Sequence, residues 1–283
     1  IKFFLNKRVE SYLILRDIFP DWAVDSGIIN NKYIISFFRF FAQLQFVRFD
    51  HIGVQDDDAI IYLKKNYKIK GKLGVLKNWM SEVRFKECIP NIYPWQSKFR
   101  EDRLNLIYTG NLGPAQNSTD LFKAFHLLAG QSELNLSVHI FGNGSEYENL
   151  QAYSLETDSL EIFFWGSVSN QECDAALTKC DGGFFCLNTK LTTNNIPGKY
   201  INYIKYSLPV FAVLNKNNPT ITEINSHNIG IAVSDIGLNE IALNLKAYVD
   251  KLSDKTFSNP RNFFDDNYSF KNASKPLLDW LKQ

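Results

Sequence analysis

From residue 104 onward the chain is a succession of short apolar runs, each ending at a turn and each separated from the next by a stretch of helical spacing. Residues 104–113 run from an apolar strand pattern into the loop Gly110-Asn111-Leu112-Gly113, and Leu121, Phe122, Phe125, Leu127 and Leu128 then repeat with helical period. Residues 136–144, 160–166 and 182–187 are three further apolar runs, the first closing on Gly142 and Gly144 and the second on Trp165-Gly166. Strands alternating with helices predict a doubly wound parallel sheet, whose ligand crevice lies beyond the carboxyl ends of the strands. The glycine loops fall at those ends, where a missing side chain lets backbone approach a ligand.

The next unit sharpens this expectation. Residues 194–213 read as loop, helix, strand: Pro197 and Gly198 punctuate, residues 199–206 carry a helical period, and Pro209 stops the helix before the apolar run 210–213. A helix N-terminus so placed offers free N–H groups and the positive end of its dipole to a phosphate. Lys199 adds a full charge in the first turn, and Asn202, one turn on, offers a donor and an acceptor to a sugar hydroxyl.

These segments resemble, in order, the donor domain of retaining GT-B glycosyltransferases of family 4: a Gly-x-x-Gly loop, a Gly-x-Gly turn, an aromatic-Gly turn near the base, then a phosphate and ribose segment. Residues 104–235 carry the resemblance, and Ile196-Pro197-Gly198-Lys199 is similar to the Pro-x-Lys variant of polysaccharide-assembly members. It implies donor contacts at Gly110, Asn111, Gly113, Gly142, Trp165, Asn194, Gly198, Lys199 and Asn202. There are two departures. Asn194 and Asn202 stand where the family has a pair of glutamates, and Pro114-Ala115-Gln116-Asn117 follows the first glycine loop where the family places an Arg and a Lys for the diphosphate. Backbone dipoles, Lys199 or another basic residue must then meet the leaving-group charge.

The first hundred residues resemble part of the partner domain. Residues 12–23 form a strand that breaks at Arg16-Asp17 into a loop with Pro20, similar to the Asp-x-x-Pro loop of bacterial transferases that build O-antigen or capsule on a lipid carrier, particularly the L-fucosamine subgroup. The resemblance places Arg16 and Asp17 at the interdomain cleft, the first toward phosphate and the second toward the acceptor hydroxyl; a salt-bridged strand end is the bland alternative. Residues 51–55 and 74–79 read as two more strands, the second ending in the Asn78-Trp79 pair of that subgroup. The expected fold is α/β GT-B with two Rossmann-like doubly wound domains, the N-terminal one incomplete. Residues 1–100 are the partial acceptor-side domain, 101–265 the donor domain, and 266–283 a terminal helix returning to the first lobe. Three visible strands, and an opening at Ile1 inside a mid-domain pattern, suggest a fragment.

Composition narrows the class. Hydrophobic residues make up 45% and charged residues 22% of the chain, which fits a globular protein with an ample core. Cys88, Cys173, Cys180 and Cys186 follow no zinc spacing, and the three that lie in strand or helix patterns read as small core hydrophobes, as in a reducing cytosol. His51, His126, His139 and His227 read as structural, and no metal or cofactor is expected. The net charge of +1 hides an asymmetry: residues 1–100 hold 17 Lys and Arg against 10 Asp and Glu, a balance of +7, while the remaining 14 basic and 20 acidic residues give −6. A basic first lobe suits an anionic membrane surface or a lipid diphosphate. Nucleic acid has little support, since no recognition helix accompanies the basic residues.

Residues 33–49 are too interrupted by Arg39 and Arg48 to cross a bilayer. As a helix they carry a polar stripe at Ser36, Arg39 and Gln43 within a wide aromatic face, which predicts core packing for most of the rings; a helix lying in the lipid interface is the alternative. The run Asp56-Asp57-Asp58 reads as a helix N-cap with solvated acids rather than a metal clamp.

The resemblance implies an enzyme of the hexosyltransferase type. It would move a sugar from a nucleotide donor, UDP-linked, to a polyprenyl-diphosphate-linked acceptor, without an essential metal and with retention of configuration. Its place would be the cytoplasm, at the cytoplasmic face of the inner membrane, in surface-polysaccharide synthesis. A catalytically silent nucleotide-sugar-binding or scaffold protein and a GT-B-type sugar-nucleotide epimerase are the alternatives.

Overall fold

The computed structural model describes residues 10–84, 93–116, 118–129, 134–234 and 236–282. Ile1, Cys88 and Asn117, named above, lie outside the described residues, as does residue 235.

The first lobe is a three-stranded parallel sheet in the order β1 (Tyr12–Ile14), β2 (His51–Val54), β3 (Lys72–Val75). The connections carry α1 (Asp21–Asp25), α2 (Lys32–Phe46) and α3 (Asp57–Asn66). Asp56 caps α3 by accepting from the Ala59 N–H at 2.7 Å; Asp57 and Asp58 occupy its first turn and Lys64 and Lys65 its last, charges that complement the helix dipole. The acid run is therefore a helix start.

On α2 the expectation of core packing fails. Only Ala42 and Phe46, one turn apart, are buried, while Tyr33 (74% exposed), Phe37 (57%) and Phe40 (59%) face outward with Ile34 and Phe41. Three short strands offer a narrow face, and the Ala42–Phe46 stripe suffices to cover it. The outer rings pack on one another instead, Phe37 on Phe41 at 4.8 Å and Phe40 on Phe41 at 5.5 Å between centroids. No helix among the described residues is long and apolar enough to cross a membrane.

The second lobe holds β4 (Leu104–Thr109), α4 (Thr119–Ala129), β5 (Leu136–Phe141), α5 (Tyr147–Gln151), β6 (Leu155–Glu156), β7 (Leu160–Gly166), α6 (Asn170–Leu177) and β8 (Gly182–Cys186). It continues with α7 (Gly198–Lys205), β9 (Val210–Leu214), α8 (Pro219–Ser226), β10 (Gly230–Ser234) and α9 (Leu238–Ser253). The strand order is β10-β9-β8-β4-β5-β7-β6, parallel throughout except for the β6–β7 pair. From β4 the chain winds outward through β5 and β7, then returns to add β8, β9 and β10 on the other side. The winding reverses between β4 and β8, which places the ligand crevice there.

Alternation along each strand builds two cores. Leu106, Tyr108, Phe184, Phe211 and Val213 join the layer of α4 and α9, whereas Ile107, Phe185, Ala212 and Leu214 join the layer of α6, α7 and α8. Gly183 permits one close contact: a Cβ there would lie 2.5 Å from the Tyr203 ring, so its absence lets α7 settle on β8.

After α9 the chain crosses back. Helix α10 (Pro260–Asn267) packs on α7, the Met80 backbone pairs with Tyr268 and Phe270 at 2.9 Å each, and α11 (Phe270–Ala273) leads into α12 (Lys275–Leu281). Trp280 of α12 lies against Tyr12 and His51 of the first sheet, at 5.1 and 5.2 Å between ring centroids.

Candidate functional site

At the predicted crevice there is a cleft of about 530 Å³, bounded by the ends of β4, β5 and β7 and by the start of α7. Gly110, Asn111, Gly142, Gly198, Lys199 and Asn202, all anticipated from the sequence, line it. Three strand ends are knitted there by glycine backbone: the Gly110 N–H donates to the Phe141 carbonyl and the Gly142 N–H to the Gly166 carbonyl, both at 2.8 Å. Gly110 has φ +101°, and a Cβ on Gly142 would sit 1.8 Å from the Gly110 carbonyl oxygen. Only glycine fits this floor.

Helix α7 is aimed at the cleft by its own buried face. Tyr203 accepts a hydrogen bond from the Thr109 N–H at 2.8 Å, tying the middle of the helix to the end of β4. Its N-terminus, at Pro197, has no side-chain cap, so first-turn N–H groups remain available to a ligand. Lys199 is half-buried as a residue, but its Nζ has no solvent contact and no hydrogen-bond partner among the described residues; it lies 3.8 Å from the centroid of the Tyr108 ring. Burial lowers its pKa to about 8. A desolvated ammonium without a counter-ion is costly, and an anion entering the cleft would relieve that cost.

Other expected residues sit elsewhere. Gly113 is not in the lining; its N–H donates to Gln116 Oε1 at 3.2 Å, as does Asn111 Nδ2, so Gln116 closes the first glycine loop on itself. Trp165 lies beside the cleft floor, stacked on Phe141 and donating to His139 Nδ1 at 3.3 Å. His139 is a core residue, held neutral by burial with its pKa near 3. Asn194 turns away, donating to Asp58 of the first lobe and accepting from Asn215 Nδ2, each at 3.3 Å.

The acceptor-side loop meets the segment ahead of α7 from the other lobe, but neither Arg16 nor Asp17 is in the cleft lining. Arg16 is engaged within its own lobe, its guanidinium 4.5 Å from the Trp79 ring centroid and Nη1 donating to the Leu76 carbonyl at 3.2 Å. Asp17 Oδ1 accepts from Asn195 Nδ2 at 2.9 Å, and burial raises its pKa against the opposing pull of that bond and of Arg16. Met80, Tyr108, Thr109, Tyr203 and Asn143 also build the site and were not singled out from sequence. Tyr108 and Thr109 directly precede Gly110, the one signal that marks them.

The other cleft, about 480 Å³, lies at the opposite ends of the strands, against Asn105 at the start of β4 and Asp181 just before β8. Doubly wound sheets bind at their carboxyl ends, and the first cleft has the start of α7 and the buried, unpaired Nζ of Lys199. Carboxylates are absent from the described lining of that first cleft, and no group of three metal-ligating side chains occurs among the described residues.

The sequence profile of the family "Glycosyl transferases group 1" matches residues 91–246, more than half of the chain. The chain belongs to that family. The probable glycosyltransferase WbjE of Pseudomonas aeruginosa is 22% identical over 291 aligned residues, covering 95% of this chain and 69% of WbjE. Among solved structures, WaaG, a glycosyltransferase involved in lipopolysaccharide biosynthesis, superposes with TM-score 0.70 at 14% identity, over 94% of this chain and 73% of WaaG. Anabaena HepE in complex with UDP-glucose gives 0.68 at 12% identity, over 96% of this chain and 71% of HepE. TarM gives 0.64 at 13% identity over 99% of this chain, which spans only 51% of TarM. The fold is α/β and GT-B-like, as the sequence led us to expect.

Proposed function

We propose that this member of the family transfers a sugar from a UDP-linked donor to a polyprenyl-diphosphate-linked acceptor in bacterial O-antigen or capsule synthesis, with retention of configuration. The observation that carries the donor half is the unpaired, buried Nζ of Lys199 beside the uncapped start of α7. As the bond between the anomeric carbon and the diphosphate oxygen breaks, negative charge collects on the leaving group. Lys199 and the α7 dipole would meet that charge, in place of the family's Arg and Lys, and the reading assigns no divalent ion. Asp17 would orient the acceptor hydroxyl from the first lobe. The structure of HepE with UDP-glucose supports a nucleotide-sugar donor, and the involvement of WaaG in lipopolysaccharide biosynthesis supports a surface-polysaccharide acceptor.

The acceptor's lipid would hold the protein at the cytoplasmic face of the inner membrane. The basic first lobe and the outward aromatic face of α2 favour such a surface contact. A catalytically silent nucleotide-sugar-binding protein is the second reading, favoured by Asn194, which stands at a glutamate position of the family and points to Asp58 instead of the cleft. The epimerase reading finds no carboxylate in the described cleft lining to move a proton.

Calorimetry with UDP tests the donor site. Lys199→Ala should weaken binding about tenfold or more, the worth of one charge-assisted contact. Equal affinities would remove Lys199 from the site. Release of UDP from a UDP-sugar on addition of the lipid-linked acceptor separates the enzyme from the silent binder.

A further inference from the structure

Between the two lobes lies a side chain whose hydrogen bonds run to the backbones of the two functional loops and to the residue that braces them. Gln55 follows β2 directly and is only 3% exposed. Its Nε2 donates to the carbonyl of Arg16, the residue before Asp17. Its Oε1 accepts from the Ile196 N–H at 3.3 Å, two residues before α7 begins, and from Asn78 Nδ2 at 3.2 Å. Asn78 Nδ2 also lies 3.4 Å from the Ile196 carbonyl oxygen, so both backbone polar groups of Ile196 are held from the opposite lobe. Next door, Asn195 reaches Asp17.

A primary amide is costly to bury unless both its ends are paired, and a Leu of similar size would fill the same space without that cost. What the amide adds is register: it allows one relative placement of the Arg16 carbonyl and the Ile196 N–H. A shift of either loop by an ångström breaks a bond that buried groups cannot replace with water.

We infer that Gln55 is a positioning residue that couples the donor cleft to the acceptor-side loop, so that a nucleotide seated at the start of α7 also orders Arg16 and Asp17. The inference rests on the donor site proposed above, and amide hydrogen exchange with UDP as the probe tests the two separately. In the wild-type chain, saturating UDP should slow exchange over residues 196–206 and also over residues 15–23. The second effect should be about fivefold, the worth of one net hydrogen bond. In Gln55→Leu, UDP should still protect 196–206 while the protection of 15–23 disappears.

Gln55→Glu keeps the acceptor to Ile196 and Asn78 but loses the donor to Arg16, and it should uncouple the loops in the same way. It also serves if the Leu variant does not fold. Protection of 196–206 without 15–23 in the wild type, or protection of 15–23 that survives in both variants, would overturn the coupling and leave the donor site standing. No protection of 196–206 in the wild type would overturn the donor site and the coupling together.

Discussion

At the scale of the residue, Lys199 carries the most information. It is a first-turn lysine on a helix without a side-chain cap, seated over Tyr108 with no counter-ion among the described residues. Its pKa, lowered to about 8, has two consequences of opposite sign. In the free protein the charged form is disfavoured relative to the unfolded chain, which binds the proton up to its ordinary value near 10.5. Stability attributable to Lys199 should therefore be lowest below pH 8 and rise between about pH 8 and 10.5. UDP affinity should run the other way, full below pH 8 and falling above it as the ammonium is lost. Thermal melts and UDP titrations across pH 7 to 10, on wild type and Lys199→Met, check both slopes. Both should vanish in the variant, and persistence of either would assign it to another group.

At the scale of the element, α2 and α7 show how far a helical pattern reaches. The period of residues 199–206 marked the helix, and Gly183 and Tyr203 explain why it lies where its N-terminus meets the cleft. On α2 the same kind of pattern marked a helix but not its buried side. Its aromatic residues surround most of the axis, so burial was decided by the width of the sheet beneath, which admits Ala42 and Phe46 alone. The triple variant Phe37→Ser, Phe40→Ser, Phe41→Ser should change stability by about 0.5 kcal/mol or less per site, as exposed positions do, whereas a buried phenylalanine truncated to Ala costs about 3–5 kcal/mol. It should also lower binding to vesicles of anionic phospholipid. A large loss of Tm would show that the rings are core after all, and unchanged vesicle binding would remove α2 from the membrane contact.

At the scale of the whole molecule, the two lobes meet through polar side chains: Asp17 with Asn195, Asp58 with Asn194, Asp25 with Thr192, and Lys77 with Glu223 at 2.9 Å. Helix α12 adds an apolar clasp through Trp280. Because Asp17 belongs to the first lobe and Lys199 to the second, their effects should separate. Asp17→Ala should lower sugar transfer about a hundredfold, the scale of a positioned acid-base group, while UDP affinity stays within about twofold of wild type. Asn195→Ala, which removes only the partner, should cost far less. Equal loss in both variants would make Asp17 a lobe contact and nothing more, and full transfer by Asp17→Ala would take it out of the chemistry.

The amino-acid order by itself determined the parallel sheet of the second lobe, the glycine floor at its carboxyl ends and the lysine at the start of α7. Strand alternation, helical period and the steric freedom of glycine are local properties that a sequence displays. Tertiary structure alone decided that Gly113, Trp165 and Asn194 stand outside the cleft lining, because their directions depend on Gln116, His139 and Asp58. It alone brought Gln55 and Asn78 to the backbone of Ile196, more than a hundred residues away. No pattern in either segment announces the other; their meeting is a consequence of how two sheets and a returning helix pack, and packing is a property of the whole chain.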